Sequence, residues 1–290
     1  MSTTTTAQKG TAIPQAAGSR SGRYYQRFDR IERGMHALLM VTFIGCALTG
    51  LPLLLADEKW SAALVRLFGG FEGAGLIHRI CAAVMIVVFV AHVVRVFARA
   101  IRRNNLMGIL WGPHSMVPQP QDIVDMYRHV KWFLGAGPRP QFDRWTYWEK
   151  FDYWAVFWGM FIIGGSGLLL WFPEFFAIFL PGWAFNIATL VHGEEALLAV
   201  GFIFTIHFFN GHLRPEKFPM DKVIFTGRIP EHELKDERPV EYARLASAGQ
   251  LAARETSPPS PGAVAFGTYV GGAAVIAGIV TIVLIFYSFM

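Results

Sequence analysis

Charge is scarce in this sequence. Of 290 residues only 16% are Asp, Glu, Lys or Arg while 53% are apolar, where ordinary soluble domains carry about a quarter charged residues. That balance excludes a disordered or fibrous chain and argues for an integral membrane protein. Cysteine is nearly absent. Cys46 and Cys81 both sit inside apolar runs, so no disulfide framework is indicated. No Cys-x-x-Cys-His occurs, so this chain attaches no c-type haem itself. The first 30 residues are polar, rich in Thr, Ser and Gly, and lack the apolar core of a signal peptide. They read as an uncleaved, partly disordered cytoplasmic tail. What is abundant is aromatic: 25 Phe, 9 Trp and 8 Tyr, a surplus that membrane interfaces and flat cofactors both favour.

Five apolar runs are each long enough to cross a bilayer, which takes about twenty residues. They cover approximately residues 34–56, 75–96, 153–172, 187–210 and 263–290, and the last contains no charged residue. Lys and Arg gather before span one, between spans two and three, and between spans four and five. The loop between spans one and two holds two, Lys59 and Arg66, and the loop between spans three and four holds none. Positive charge stays on the cytoplasmic side, which predicts an inside N-terminus and an outside C-terminus. The net charge of +5 then reflects topology and needs no nucleic-acid partner. Within the second loop, PQPQDIVDMYRHVKWFLG opens like a short amphipathic surface helix. The expected organisation is a tail (1–33), a four-helix unit (34–212), a cytoplasmic segment with a Ser/Pro-rich linker (213–262) and a fifth helix (263–290).

Of nine histidines, His36, His78, His92, His192 and His207 lie within spans, and His212 lies just past span four. Imidazole inside a membrane is costly unless it is paired, so each is a functional candidate. A lone histidine can simply hydrogen-bond across helices; five at matched depths are harder to explain so. From His78 to His92 is fourteen residues, about 21 Å of helix, and from His192 to His207 is fifteen, about 22 Å. Each pair returns to roughly one helix face. The threading therefore gives an outer layer of His78 and His192 and an inner layer of His36, His92 and His207. Two neutral imidazoles on facing helices fill both axial positions of a haem iron, an arrangement suited to electron transfer and not to oxygen chemistry. Small residues that let a porphyrin approach a helix are present at Gly45, Gly50, Gly164, Gly165 and Gly167, although glycine runs also pack bare membrane helices.

The stretches RIERGMHALLMVTFIGCALTGLPLLL, GAGLIHRICAAVM and LVHGEEALLAVGFIFTIHFFNGHLRPEKFPMD resemble the dihaem membrane cytochrome b family. That family includes the cytochrome b subunits of formate dehydrogenase and nickel–iron hydrogenase and the bacterial cytochrome b561 proteins. The resemblance runs from about Arg27 to Asp221. HLRPEKFPMD and FDRWTYWEKFDYWAVFWGM are closer still to a branch found with multihaem c-type cytochromes. It implies two b-type haems, one bound by His36 with His207 and the other by His78 with His192. Two departures stand out. The fourth-helix pair is fifteen apart where the formate dehydrogenase type has fourteen, which a local bulge or a different partner would accommodate. His92 has no counterpart there, and pairing His78 and His92 with His192 and His207 is the alternative. The setting RGMHALL favours His36, leaving His92 to line a quinone pocket or hold a haem propionate.

The expected fold is thus an all-α integral membrane protein, a four-helix haem-binding bundle plus a fifth C-terminal transmembrane helix, in the bacterial inner membrane. Arg33 and Arg79 are candidate propionate partners, though interfacial arginines also snorkel. Glu194 and Glu195 are candidate quinol proton acceptors, or headgroup-level carboxylates that stay wet. The expected function is electron exchange between menaquinone or ubiquinone and a periplasmic multihaem cytochrome c or iron–sulfur subunit. The branch resemblance favours the quinol-oxidising direction, and quinone reduction for a formate dehydrogenase or hydrogenase is the alternative. A rival of another class is a histidine-lined metal or ion transporter. It predicts mid-membrane Asp/Glu/His mixtures and broken helices, whereas here the histidines are layered and no span is broken by a proline.

Overall fold

The computed structural model describes residues 22–290, so positions 1–21 of the expected tail lie outside the described residues. Five helices are long and apolar enough to cross a membrane: Arg30–Leu54, Gly70–Arg102, Tyr147–Trp171, Trp183–Leu213 and Pro261–Ser288. The molecule is an all-α integral membrane bundle, and the five helices are the five spans read from the sequence. Their outward faces are apolar, with Val87, Phe161 and Leu198 among the exposed large side chains, as a lipid-facing surface requires.

The helices begin where side chains can satisfy the free amides of a first turn. At the first span, Asp29 accepts from the backbone amides of Ile31 and Glu32, and Glu32 reaches back to the Asp29 amide, a capping box. Thr146 and Glu149 build the same device at the third. The second span runs to Arg102 and not to about 96 as expected, because its charged end finds partners: Arg95 reaches Asp29 at 2.6 Å and Arg99 reaches Glu32 at 2.7 Å. Pro52 stands in the last turn of the first span, which ends at Leu54 unbroken.

The first span packs chiefly on the second and the third on the fourth, and these two pairs meet along a sparser seam. The fifth span lays one face on the bundle. Ala274 joins a core with Ala47, Leu51, Val200, Phe204 and Phe208. A Cβ at Gly278 would stand 2.7 Å from Phe208 and 2.8 Å from Phe204, so glycine permits that approach. The fourth span changes character near its end. After regular α-helix to Phe202, residues Ile203–His207 and Phe209–Leu213 form π-helical turns.

The polar segments fold together at one end of the bundle. Residues 22–29, expected as the end of a partly disordered tail, carry a strand, and 213–262, expected as a cytoplasmic segment with a Ser/Pro-rich linker, adds short helices and two strands. Tyr24–Gln26 is the central strand of a three-stranded antiparallel sheet, flanked by Arg228–Pro230 and Glu255–Thr256. Tyr25, Val223, Ile229 and Leu234 form its small core. Beneath it Glu241, 1% exposed, is gripped by Arg27 at 2.8 Å, Arg144 at 3.0 Å and Arg254 at 3.3 Å. Alternating local signals hid these short strands, since each pairs with a partner far away in sequence. The amphipathic helix read from the second loop is present as Pro120–Phe133, with Ile123, Tyr127 and Phe133 exposed.

Candidate functional site

The second and fourth spans bring His78 and His192 face to face across the seam, ring centroids 6.1 Å apart and planes inclined at 72°. Each ring is held from behind at Nδ1. His192 Nδ1 lies 2.9 Å from the carbonyl oxygen of Ile163; a carbonyl only accepts, so this nitrogen carries the proton. Thr49 already donates its hydroxyl hydrogen to Gly45 O at 2.6 Å, so at 3.1 Å it accepts from His78 Nδ1. Both tautomers follow from the partners, and both leave the Nε2 lone pair available. A metal ion sits about 2.0–2.1 Å from an imidazole nitrogen, so rings at this separation can clasp a single metal atom between them.

Glycines make room for the two rings. A Cβ at Gly167 would stand 2.9 Å from His192 Cε1, and one at Gly50 would stand 3.0 Å from His78 Cε1. A Cβ at Gly45 would stand 2.6 Å from Cys81 Sγ, whereas one at Gly164 or Gly165 would meet nothing outside its own helix turn within 4 Å. The glycines expected to admit a porphyrin thus divide, and Gly50 and Gly167 directly seat histidines.

At the end nearer the polar cap, His207 Nδ1 lies 3.0 Å from Asp152 Oδ2, which makes this nitrogen the donor and again frees Nε2. His207 closes a π turn. One extra residue in that turn restores across fifteen positions the register that an α-helix reaches in fourteen, the local bulge that the spacing called for. His36 is half-buried on the first span. His92 differs. Its Nε2 lies 3.0 Å from the Tyr153 hydroxyl, and the two rings pack edge to face at 5.6 Å. The nitrogen that would meet a metal is therefore engaged.

Of the remaining candidates, Arg33 has a buried Nε without a hydrogen-bond partner. Arg79 and Glu194 are exposed, and Glu195 accepts the Trp158 indole N–H at 3.1 Å. Sequence reasoning missed Thr49, Tyr153 and Asp152. Asp152 carried a signal, a lone acid at the edge of an apolar run. In the polar cap, burial opposes ionisation of Glu241, yet Arg27, Arg144 and Arg254 hold its carboxyl below the usual range.

Among the described residues, no group of three or more His, Cys, Asp or Glu side chains could hold a bare metal ion. Imidazole pairs fit a metal that brings its own equatorial ligands, as a porphyrin does. Fold and donor set together define a class, the membrane helix bundles that hold a flat metal cofactor between spans. The sequence profile of the prokaryotic cytochrome b561 family matches residues 27–215. The chain belongs to that family and is a multi-pass membrane b-type cytochrome of electron transfer, with haem b as its cofactor. No curated protein matches the chain.

Proposed function

We propose that this cytochrome holds two b-type haems, one between His78 and His192 and one between His36 and His207, and passes electrons between the quinone pool and a periplasmic redox partner. The observation that carries the reading is the His78–His192 pair, with each Nδ1 engaged and each Nε2 free across a 6.1 Å ring separation. Each haem, when bound, supplies a one-electron iron couple. The protein's part is to fix the imidazoles, keep their Nε2 atoms unprotonated and exclude water from the seam. His36 is preferred to His92 because Tyr153 occupies the His92 Nε2.

The N-terminus and the polar cap lie on the cytoplasmic side in this reading, supported by the Lys and Arg distribution. The favoured direction is from quinol to a multihaem cytochrome c docked over the opposite face. Quinone reduction for a formate dehydrogenase or hydrogenase uses the same wire in reverse. Among the described residues, no three- or four-ligand cluster supports the transporter reading.

A dithionite-reduced minus oxidised spectrum of the detergent-purified chain, with a pyridine haemochrome assay, tests the proposal. Two b-type haems per chain are expected. A single haem would remove one of the two pairs, and a colourless protein would sink the reading.

A further inference from the structure

The three span histidines held at Nδ1 are not backed alike. His192 rests on a backbone carbonyl and His78 on a threonine hydroxyl, both neutral, whereas His207 rests on the carboxylate of Asp152. Asp152 is well placed for one purpose. Its side chain is 16% exposed, Oδ2 meets the imidazole, and Oδ1 is buried without any hydrogen-bond partner, so no cation is shared with the acid. Lys150, two residues away on the same helix, is committed to Asp122 at 2.8 Å, and Arg95 and Arg99 are committed to Asp29 and Glu32.

A carboxylate hydrogen-bonded behind a ligating imidazole draws on its Nδ1 proton and makes the far nitrogen more basic. A more basic axial ligand favours the ferric over the ferrous ion, which is one of the levers a protein has on haem potential. We propose that Asp152 is a positioning residue that fixes the His207 tautomer and lowers the potential of the inner haem relative to the outer one. The consequence is a direction. With the lower potential at the cap end, electrons run downhill from the His207 haem to the His78–His192 haem, one electron leaving a ferrous inner iron and reducing a ferric outer one. The inference rests on the two-haem reading above and gives that wire its polarity.

Spectroelectrochemical titration of the purified chain tests it, the inner haem being assigned as the one that survives in His78→Ala. Asp152→Asn keeps an acceptor for the His207 N–H and removes the charge. It should raise the inner midpoint while the outer one stays in place. Poised at the wild-type inner midpoint, the reduced-to-oxidised ratio of that haem should rise about tenfold, equivalent to about 59 mV for a one-electron couple. Asp152→Glu should return most of that shift. Thr49→Val, which removes only a neutral acceptor behind His78, should move the outer haem less than Asp152→Asn moves the inner one. The proposal is overturned if Asp152→Asn shifts both haems equally or neither. Loss of the inner haem in both the Asn and Glu variants also overturns it, since a group that only tunes a ligand is not needed to hold it. A wild-type chain without haem defeats the two-haem reading itself, an outcome separable from two haems with potentials blind to Asp152.

Discussion

A membrane histidine has two nitrogens, and its role is decided by which of them another residue already holds. His78, His192 and His207 are held at Nδ1, while His92 is held at Nε2 by Tyr153. The sequence marks all of these histidines as costly in lipid, and their depths separate an outer layer from an inner one. It does not show the pairing, because the deciding atoms lie on other spans: Thr49 on the first, and Asp152, Tyr153 and the Ile163 carbonyl on the third. The difference has a direct test. His36→Ala should drop haem content from two per chain to one, and His92→Ala should keep two with at most a small shift of the inner band. Measured haem stoichiometries in the opposite order would hand the inner ligand role to His92.

At the scale of the helix, the fifteen-residue spacing between His192 and His207 is reconciled by a local change of winding. An α-helix turns about 100° and rises about 1.5 Å per residue, so a one-residue misfit would swing His207 well off the seam. The π turn over Ile203–His207 absorbs the extra residue where it is needed. Deleting Thr205 should therefore let the segment revert to plain α-helix with fourteen-residue spacing and leave two haems bound. Inserting one alanine after Phe204 gives sixteen, which a single bulge cannot absorb, and the inner haem should be lost. Haem stoichiometry and the far-ultraviolet spectrum of the two variants separate these results from general misfolding. All five spans were legible because twenty apolar residues leave few alternatives in any sequence. Their ends were less so. The second span overshoots its apolar run because Arg95 and Arg99 meet Asp29 and Glu32 at the start of the first span, a pairing over some seventy positions that local pattern does not encode.

Across the whole molecule, apolar bundle and polar cap depend on different forces. The cap has a small apolar core and a dense ionic one, with Glu241 against three arginines at 1% exposure. Replacing it by Ala leaves Arg27, Arg144 and Arg254 short of a partner, and the cap should lose about 3–5 kcal/mol, read as faster hydrogen exchange in Tyr24–Gln26. Since the folded-state pKa of Glu241 lies below its unfolded value of about 4.3, its contribution is complete above that value and is lost as pH falls through the folded one. Protection factors in the cap, corrected for the intrinsic pH dependence of amide exchange, should therefore fall on acidification while those of the spans hold.

The cap also bears on the proposed orientation of the bundle. Among the described residues, arginines and lysines of three separate segments fall at its end of the bundle, whereas the loops at the opposite end hold only Lys59 and Arg66. The positive-inside bias therefore acts on every span in the same sense, and a dual topology would have to overcome all three clusters at once. Single cysteines placed at exposed sites read this directly, with Cys46 and Cys81 half-buried in the spans. In spheroplasts a membrane-impermeant maleimide should label Glu174→Cys, at the end away from the cap, and should reach Ser247→Cys only after lysis. Labelling of position 247 in intact spheroplasts would turn the molecule over, put the His78–His192 haem on the cytoplasmic side, and move the expected docking face for a redox partner to the cap.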